Sequence, residues 1–151
     1  MTNRTNPFTR MDLVQPFIDY SNSVPDVGLE PTIKELVKIR ASQINGCARC
    51  LVMHTEEARQ LGETEMRIYL LDAWREAPHF TARERAAIAW TEALTKLSHD
   101  TDAAYALIEA EFTEAERIAL TLLIGNINTW NRINVGFQVK PPRSSAIAVA
   151  A

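Results

Sequence analysis

The sequence predicts an all-α fold of six to seven helices. Apolar residues recur at three- and four-residue spacing through most of its 151 residues. Two pairs, Thr81 with Glu84 and Thr113 with Glu116, have the reciprocal form in which a threonine and a glutamate close the first turn of a helix. No window alternates apolar and polar residues as a half-buried strand does. The length suits one domain. With 46% hydrophobic and 23% charged residues, the chain can fill a core and is not a disordered segment.

Residues 11–20 suggest a short first helix, although Pro16 sits badly in its interior. Pro25, Gly28 and Pro31 punctuate the break that follows. Pro31 suits the first turn of a second helix, whose stripe is Ile33, Leu36, Val37, Arg40, Ala41 and Ile44 and whose end is Asn45-Gly46. A third helix spans residues 47–61, with Gly62 as its stop. The fourth carries Met66, Tyr69, Leu70, Ala73 and Trp74 and ends before Pro78. Thr81 opens the fifth, with Ala86, Ala89, Trp90, Ala93, Leu94 and Leu97 as its stripe. A turn at residues 98–102 precedes a short helix that reaches Glu111. Thr113 opens the last and longest helix, which continues past Trp130. Its stretch 118–124 is apolar on nearly every side, which places it at the centre of the core or in a subunit contact. Residues 1–140 then form one domain with its core in 29–97, and 141–151 form a mobile or docked tail.

Composition excludes several classes of function. A net charge of −3 gives no general attraction to nucleic acid or to an anionic membrane. The stretch 118–124 is too short to cross a hydrocarbon layer of about 30 Å. The N-terminal MTNRTNPFTRMDLVQ lacks the apolar run of a signal peptide, so a cytoplasmic, reducing location is expected. Two cysteines, Cys47 and Cys50, are too few to staple a secreted scaffold.

Those two cysteines carry the chemistry. In NGCARCLVMH, helical geometry of about 100° per residue puts Cys47, Cys50 and His54 within roughly 60° of one another. Cysteines one turn apart have Cα atoms about 5 Å apart, within disulfide range. At a helix N-terminus, free N–H groups and the macrodipole favour a thiolate. An imidazole one turn beyond Cys50 can exchange a proton with its sulfur. The dipole favours Cys47 as the attacking thiol and the neighbouring base favours Cys50, so spacing leaves the order open. Leu51, Ala58 and Leu61 share the stripe, and two core cysteines are the plainer reading. Zinc is a further one: two thiolates and an imidazole leave it one ligand short, to be supplied by Glu35, His79 or His99. His79, after Pro78, and His99, in a capping turn, read as solvent-exposed, and Trp74 and Trp90 read as core.

The run from Glu35 to Trp90 resembles the carboxymuconolactone decarboxylase superfamily on its alkylhydroperoxidase AhpD-like branch, and NINTWNRINV resembles the C-terminal part of those proteins. The branch's pattern is a Glu, eleven residues, Cys-x-x-Cys and then x-x-x-His, which Glu35, Cys47, Cys50 and His54 match position for position. The resemblance implies an AhpD-like helical bundle assembled as a trimer or hexamer, and a thiol peroxidase in antioxidant defence. It makes Cys50 peroxidatic and Cys47 resolving, with His54 as base and Glu35 as a further proton relay. It implies no bound cofactor or metal, a hydroperoxide substrate, and an external dithiol reductant of lipoyl or thioredoxin type. Members of the branch carry a second His between the cysteines, where this chain has Ala48-Arg49. By spacing alone Glu35 points away from Ile33, Val37 and Ile44 and reads as a solvated acid, which an oligomer interface would have to cover. Asn128, Trp130, Asn131 and Arg132 are polar beside an apolar helix and belong either to a subunit interface or to the pocket. The competing functions are a lyase acting on a small lactone acid and a redox-sensing module without turnover.

Overall fold

In the computed structural model, which describes residues 4–24 and 27–141, every regular element is helical. Seven α-helices lie among the described residues: α1 (Met11–Ser23), α2 (Pro31–Asn45), α3 (Ala48–Gln60), α4 (Glu65–Leu70), α5 (Ala82–Lys96), α6 (Asp102–Glu111) and α7 (Glu114–Gly136). Single 3-10 turns occupy Pro7–Thr9 and Leu71–Ala73. Both threonine–glutamate boxes form, at the starts of α5 and α7.

The helix α2 is covered on two sides, because its apolar residues face two ways. Ile33 and Val37 join Leu29, Trp90, Ile108, Leu120 and Ile124 in one cluster. Leu36 and Ile39 join Ala58, Leu71, Trp74 and Ile88 in another. α3, α5 and α7 all pack on α2. A third, small cluster holds Ala41, both cysteines and Ile127, so the cysteines sit where α2, α3 and α7 meet.

Buried polar ties fix the helices around α2. Arg40 on α2 donates from Nε to Glu92 Oε1 of α5 at 2.8 Å, and Trp74 Nε1 donates to the same oxygen at 3.0 Å. Arg75 reaches the other oxygen, Oε2, at 2.8 Å. Asn45 Nδ2 donates to Asn128 Oδ1 and Asn131 Oδ1, each at 2.9 Å. Asn131 donates to Ser42 Oγ and Asn128 to Thr95 Oγ1, both at 3.0 Å. The role left open for Asn128 and Asn131 is thereby assigned: they tie α7 to α2 and α5 within one chain. Arg132 Nη1 bonds the Asn128 carbonyl and Oδ1 one turn back. Trp130 Nε1 donates to Ser21 Oγ at 2.9 Å and holds α1 against α7.

The structure corrects several expectations. α1 runs on to Ser23 with Pro16 inside it, and it buries no residue. The N–H that Pro16 lacks would have met the Asp12 carbonyl, and both residues are exposed, so the lost bond lies on the solvent side of the helix. Met66 and Tyr69 face solvent and Ile68 and Leu71 turn inward in their place, while Trp74 is buried as read. Leu97 is not core: it takes a left-handed backbone, φ 50°, at the end of α5 and is 75% exposed. Within 118–124, Ala119, Leu120, Leu123 and Ile124 are buried, but Ile118 and Leu122 are exposed, so that stretch is two-faced. The predicted tail lies beyond Pro141, outside the described residues. Among the described residues no helix is long and apolar enough to cross a membrane.

Burial pushes the Glu92 carboxyl up, but Arg75, Trp74 and Arg40 outweigh it and hold it at about 2, against an ordinary 4.5. The unfolded chain therefore takes up this proton first, and the stability the network supplies is present above pH 4.5 and drains away as pH falls toward 2. Glu92→Gln takes a carboxylate from buried Arg40, which keeps Asp72, and from exposed Arg75, and should cost about 1–3 kcal/mol at neutral pH. It should also flatten the acid limb of the stability curve. Urea unfolding of both proteins from pH 7 to pH 3 checks this, and parallel curves would contradict it.

Candidate functional site

The site begins with the turn between α2 and α3. Gly46 adopts φ 67°, a left-handed backbone that glycine enters without steric cost. Its N–H bonds the Gln43 carbonyl at 3.3 Å, and the Cys47 N–H reaches back to Ser42 at 3.0 Å. These paired bonds are those of a Schellman turn, which caps α2 and reverses the chain at once. Cys47 consequently lies just before α3 rather than in it. It is the N-cap, extended at φ −86° and ψ 91°, and its sulfur accepts from the Cys50 N–H at 3.4 Å.

Cys47 and Cys50 form a disulfide, with Cα atoms 5.4 Å apart. Both are buried, at 1% and 3% exposure. They nevertheless line different hollows. Cys50 lines a cavity of about 600 Å³ between α1, α2, α3 and α7, with His54, Glu35, Leu123, Ile127 and Trp130. Cys47 lines a hollow of about 440 Å³ on the other side, with Gly46, Val135 and Gln138.

His54 and Glu35 meet within the chain. His54 Nδ1 is 2.9 Å from Glu35 Oε2 and 2.9 Å from Glu57 Oε2. Two carboxylate acceptors at one ring nitrogen place its hydrogen there and leave Nε2 as the basic position of the neutral ring. Glu35 is only 6% exposed, not a solvated acid, and the cover comes from the chain itself: α3 lies across α2 and brings His54 onto it. Lys38 Nζ donates to Glu35 Oε1 at 2.6 Å. Burial pushes the Glu35 carboxyl up, but the His54 bond and the Lys38 charge prevail, and it stays below its ordinary value.

One residue of the site was missed in the sequence. Asn134, on α7, donates from Nδ2 to Cys50 Sγ at 3.4 Å, and its Oδ1 is buried with no hydrogen-bond partner. Its place in the stretch NINTWNRINV was a signal, but nothing local separates it from the three other asparagines there. Arg49, half-buried, lines the Cys50 cavity, stands 5.6 Å from the Phe8 ring centroid and donates to the Lys140 carbonyl at 3.3 Å. His79 and His99 are exposed, as read. Glu35, His54 and Glu57 offer three ligand atoms within 4.8 Å of one another, a set that excludes both cysteines and whose Glu35 already holds a lysine.

Comparison with known proteins agrees with this architecture. The model of the carboxymuconolactone decarboxylase family matches residues 12–93. An uncharacterized protein of Bacillus subtilis, YdfG, is 39% identical over 120 residues, which are 78% of this chain and 82% of that one. A protein of unknown function from Agrobacterium tumefaciens, a candidate AhpD antioxidant defence protein, superposes with a TM-score of 0.88. It is 39% identical over 95% of this chain and all of that one. The debrominase Bmp8 shares the fold at a TM-score of 0.76 and 16% identity, over 90% of this chain and 74% of that one.

The geometry has a direct chemical consequence. After reduction, Asn134 offers a hydrogen bond to a Cys50 thiolate, and hydrogen bonding to the charged form lowers a pKa. Asn134→Ala should slow alkylation of Cys50 at pH 7 several-fold, because the thiolate loses that hydrogen bond. Iodoacetamide labelling of Cys47→Ser and of its Asn134→Ala double variant, followed by mass across pH 5–9, reads this. Identical labelling profiles would contradict it.

Proposed function

This chain belongs to the carboxymuconolactone decarboxylase family, on its AhpD-like branch, and we propose that it is a thiol-dependent hydroperoxide reductase serving antioxidant defence. The observation that carries this reading is the disulfide-linked Cys47 and Cys50, of which Cys50 lines a cavity together with the paired His54 and Glu35.

The cycle starts from the dithiol. His54 Nε2 takes the Cys50 proton, and Glu35, hydrogen-bonded to Nδ1, orients the ring and offsets its charge. The Cys50 thiolate attacks the terminal oxygen of ROOH, so that the O–O bond breaks and an S–O bond forms. The products are Cys50 sulfenic acid and RO⁻, which takes a proton and leaves as ROH. Cys47, already within bonding distance, displaces water from the sulfenic acid and forms the disulfide. An external dithiol of lipoyl or thioredoxin type then reduces the pair and is itself oxidised to a disulfide. The facing of the two sulfurs supports Cys50 as the peroxidatic thiol, since the base lines its cavity and not the hollow at Cys47. No resident metal or cofactor enters the cycle.

Cys50→Ser should abolish peroxide consumption with dithiothreitol as reductant. Without added thiol, pre-reduced Cys47→Ser should consume one equivalent of peroxide and stop at a sulfenic acid that dimedone traps. His54→Gln should lose roughly 10²- to 10⁴-fold in rate, the usual value of a positioned base. Wild-type consumption by Cys50→Ser would overturn the proposal, and a wild-type protein that consumes no peroxide would overturn it in favour of a lyase acting on a lactone acid.

A further inference from the structure

The cavity over Cys50 has two contrasting parts. Most of its wall is carbon, from Leu29, Leu123, Ile127, Trp130, Phe8 and Met53. Its charged lining is cationic, with Lys34, Lys38 and Arg49 against one carboxylate, Glu35. The whole chain has the opposite bias, 19 acidic residues against 16 basic, so the positive lining is a local feature. Lys38 is committed to Glu35. Among the described residues no carboxylate pairs with Arg49: it stands by the Phe8 ring, makes one long bond to the Lys140 carbonyl, and lines both this cavity and the hollow at Cys47. A guanidinium carries five N–H donors in a planar fork that fits a carboxylate with two parallel bonds. One carbonyl leaves that fork largely open, immediately before Cys50 in the chain and on the same cavity.

We propose that the substrate of this site is an amphipathic anionic hydroperoxide, an apolar chain or ring system bearing an ionised carboxylate, and that Arg49 selects it by pairing with that carboxylate. The proposal rests on the hydroperoxide reductase reading and adds the class of R in ROOH. A cavity of about 600 Å³ accommodates such a molecule and excludes neither end of it. The carboxylate is a spectator in the chemistry: the thiolate still takes the terminal oxygen, and the organic product leaves as the hydroxy acid. Charge complementarity supplies the choice of partner, since an unpaired, half-buried guanidinium gains from an anion what a neutral alcohol or peroxide does not offer.

The test separates binding from turnover. Calorimetric titration with octanoate and with 1-octanol, neither of which can react, is run on the wild-type dithiol protein, on Arg49→Gln and on Arg49→Lys. Wild type should prefer octanoate by about tenfold, in line with a hydrogen-bonded charge pair. Arg49→Gln should bring the two ligands level, and Arg49→Lys should keep part of the preference. Steady-state kinetics with linoleic acid hydroperoxide and its methyl ester then read the same preference as a lower KM for the acid. Equal binding of octanoate and octanol by wild type, or an undiminished preference in Arg49→Gln, would overturn the proposal. Turnover that does not distinguish acid from ester would overturn it while leaving the reductase intact. Arg49-dependent octanoate binding without turnover of either peroxide would instead overturn the reductase and keep the anion site.

Discussion

The reversal of the chain at Gly46 and Cys47 is the constraint on which the rest of the site depends. One left-handed residue lets two backbone bonds close α2 while the next residue opens α3. Had the connection been longer, Cys47 would not be held at an N-cap and its sulfur would not meet the first-turn N–H groups. The same reversal lays α3 back on α2, and that contact brings His54, nearly two turns into α3, against Glu35 near the start of α2. The Cys47–Cys50 bond and the His54–Glu35 bond are therefore two results of one turn. A residue with a side chain at position 46 would enter the left-handed region at a cost of about 1–2 kcal/mol, borne by every part of the site at once.

Much of this was legible from residue types. The Asn-Gly pair marked the end of α2, the threonine–glutamate boxes marked α5 and α7, and the spacing of Cys47, Cys50 and His54 marked one face. Each of these signals is local, carried by residues within about two turns of each other. What spacing concealed was tertiary. Glu35 looked like a surface acid because a single helix has no means of showing that its polar face will be covered by its successor. Asn134 lies 84 positions from Cys50, and only the packing of α7 against α3 joins them. Leu71 lies off the extrapolated stripe, and the 3-10 winding after Leu70 sets it and Trp74, three residues apart, on one buried side. The boundary of the resemblance was visible too: Arg49 stands where the branch has a histidine, and the structure gives that arginine surroundings unlike a proton relay's.

Two buried glutamates show how one residue type is put to two uses. Glu92 and Glu35 are both nearly enclosed, and both are held ionised below the ordinary carboxyl range against the push of burial. Their partners differ in kind. Glu92 accepts from two guanidiniums and an indole, none of which gives up a proton at any pH the protein meets, so its charge is fixed and its work is to join α2, α5 and the turn after α4. Glu35 accepts from a lysine and from an imidazole, the one side chain that changes charge near neutral pH. In the proposed cycle the imidazole would gain a proton at each turnover and change the load on Glu35, while the Lys38 charge on its other oxygen holds the carboxylate ionised. The placement follows the same division. The network around Glu92 is spent on packing, whereas Glu35 opens onto the cavity that Cys50 shares. Helix α2 thus carries its structural ion pair at Arg40 and its reactive one at Glu35, five residues apart and on different sides. That separation would let the proton at His54 move, as the proposed cycle requires, without disturbing the contact that holds the helices together.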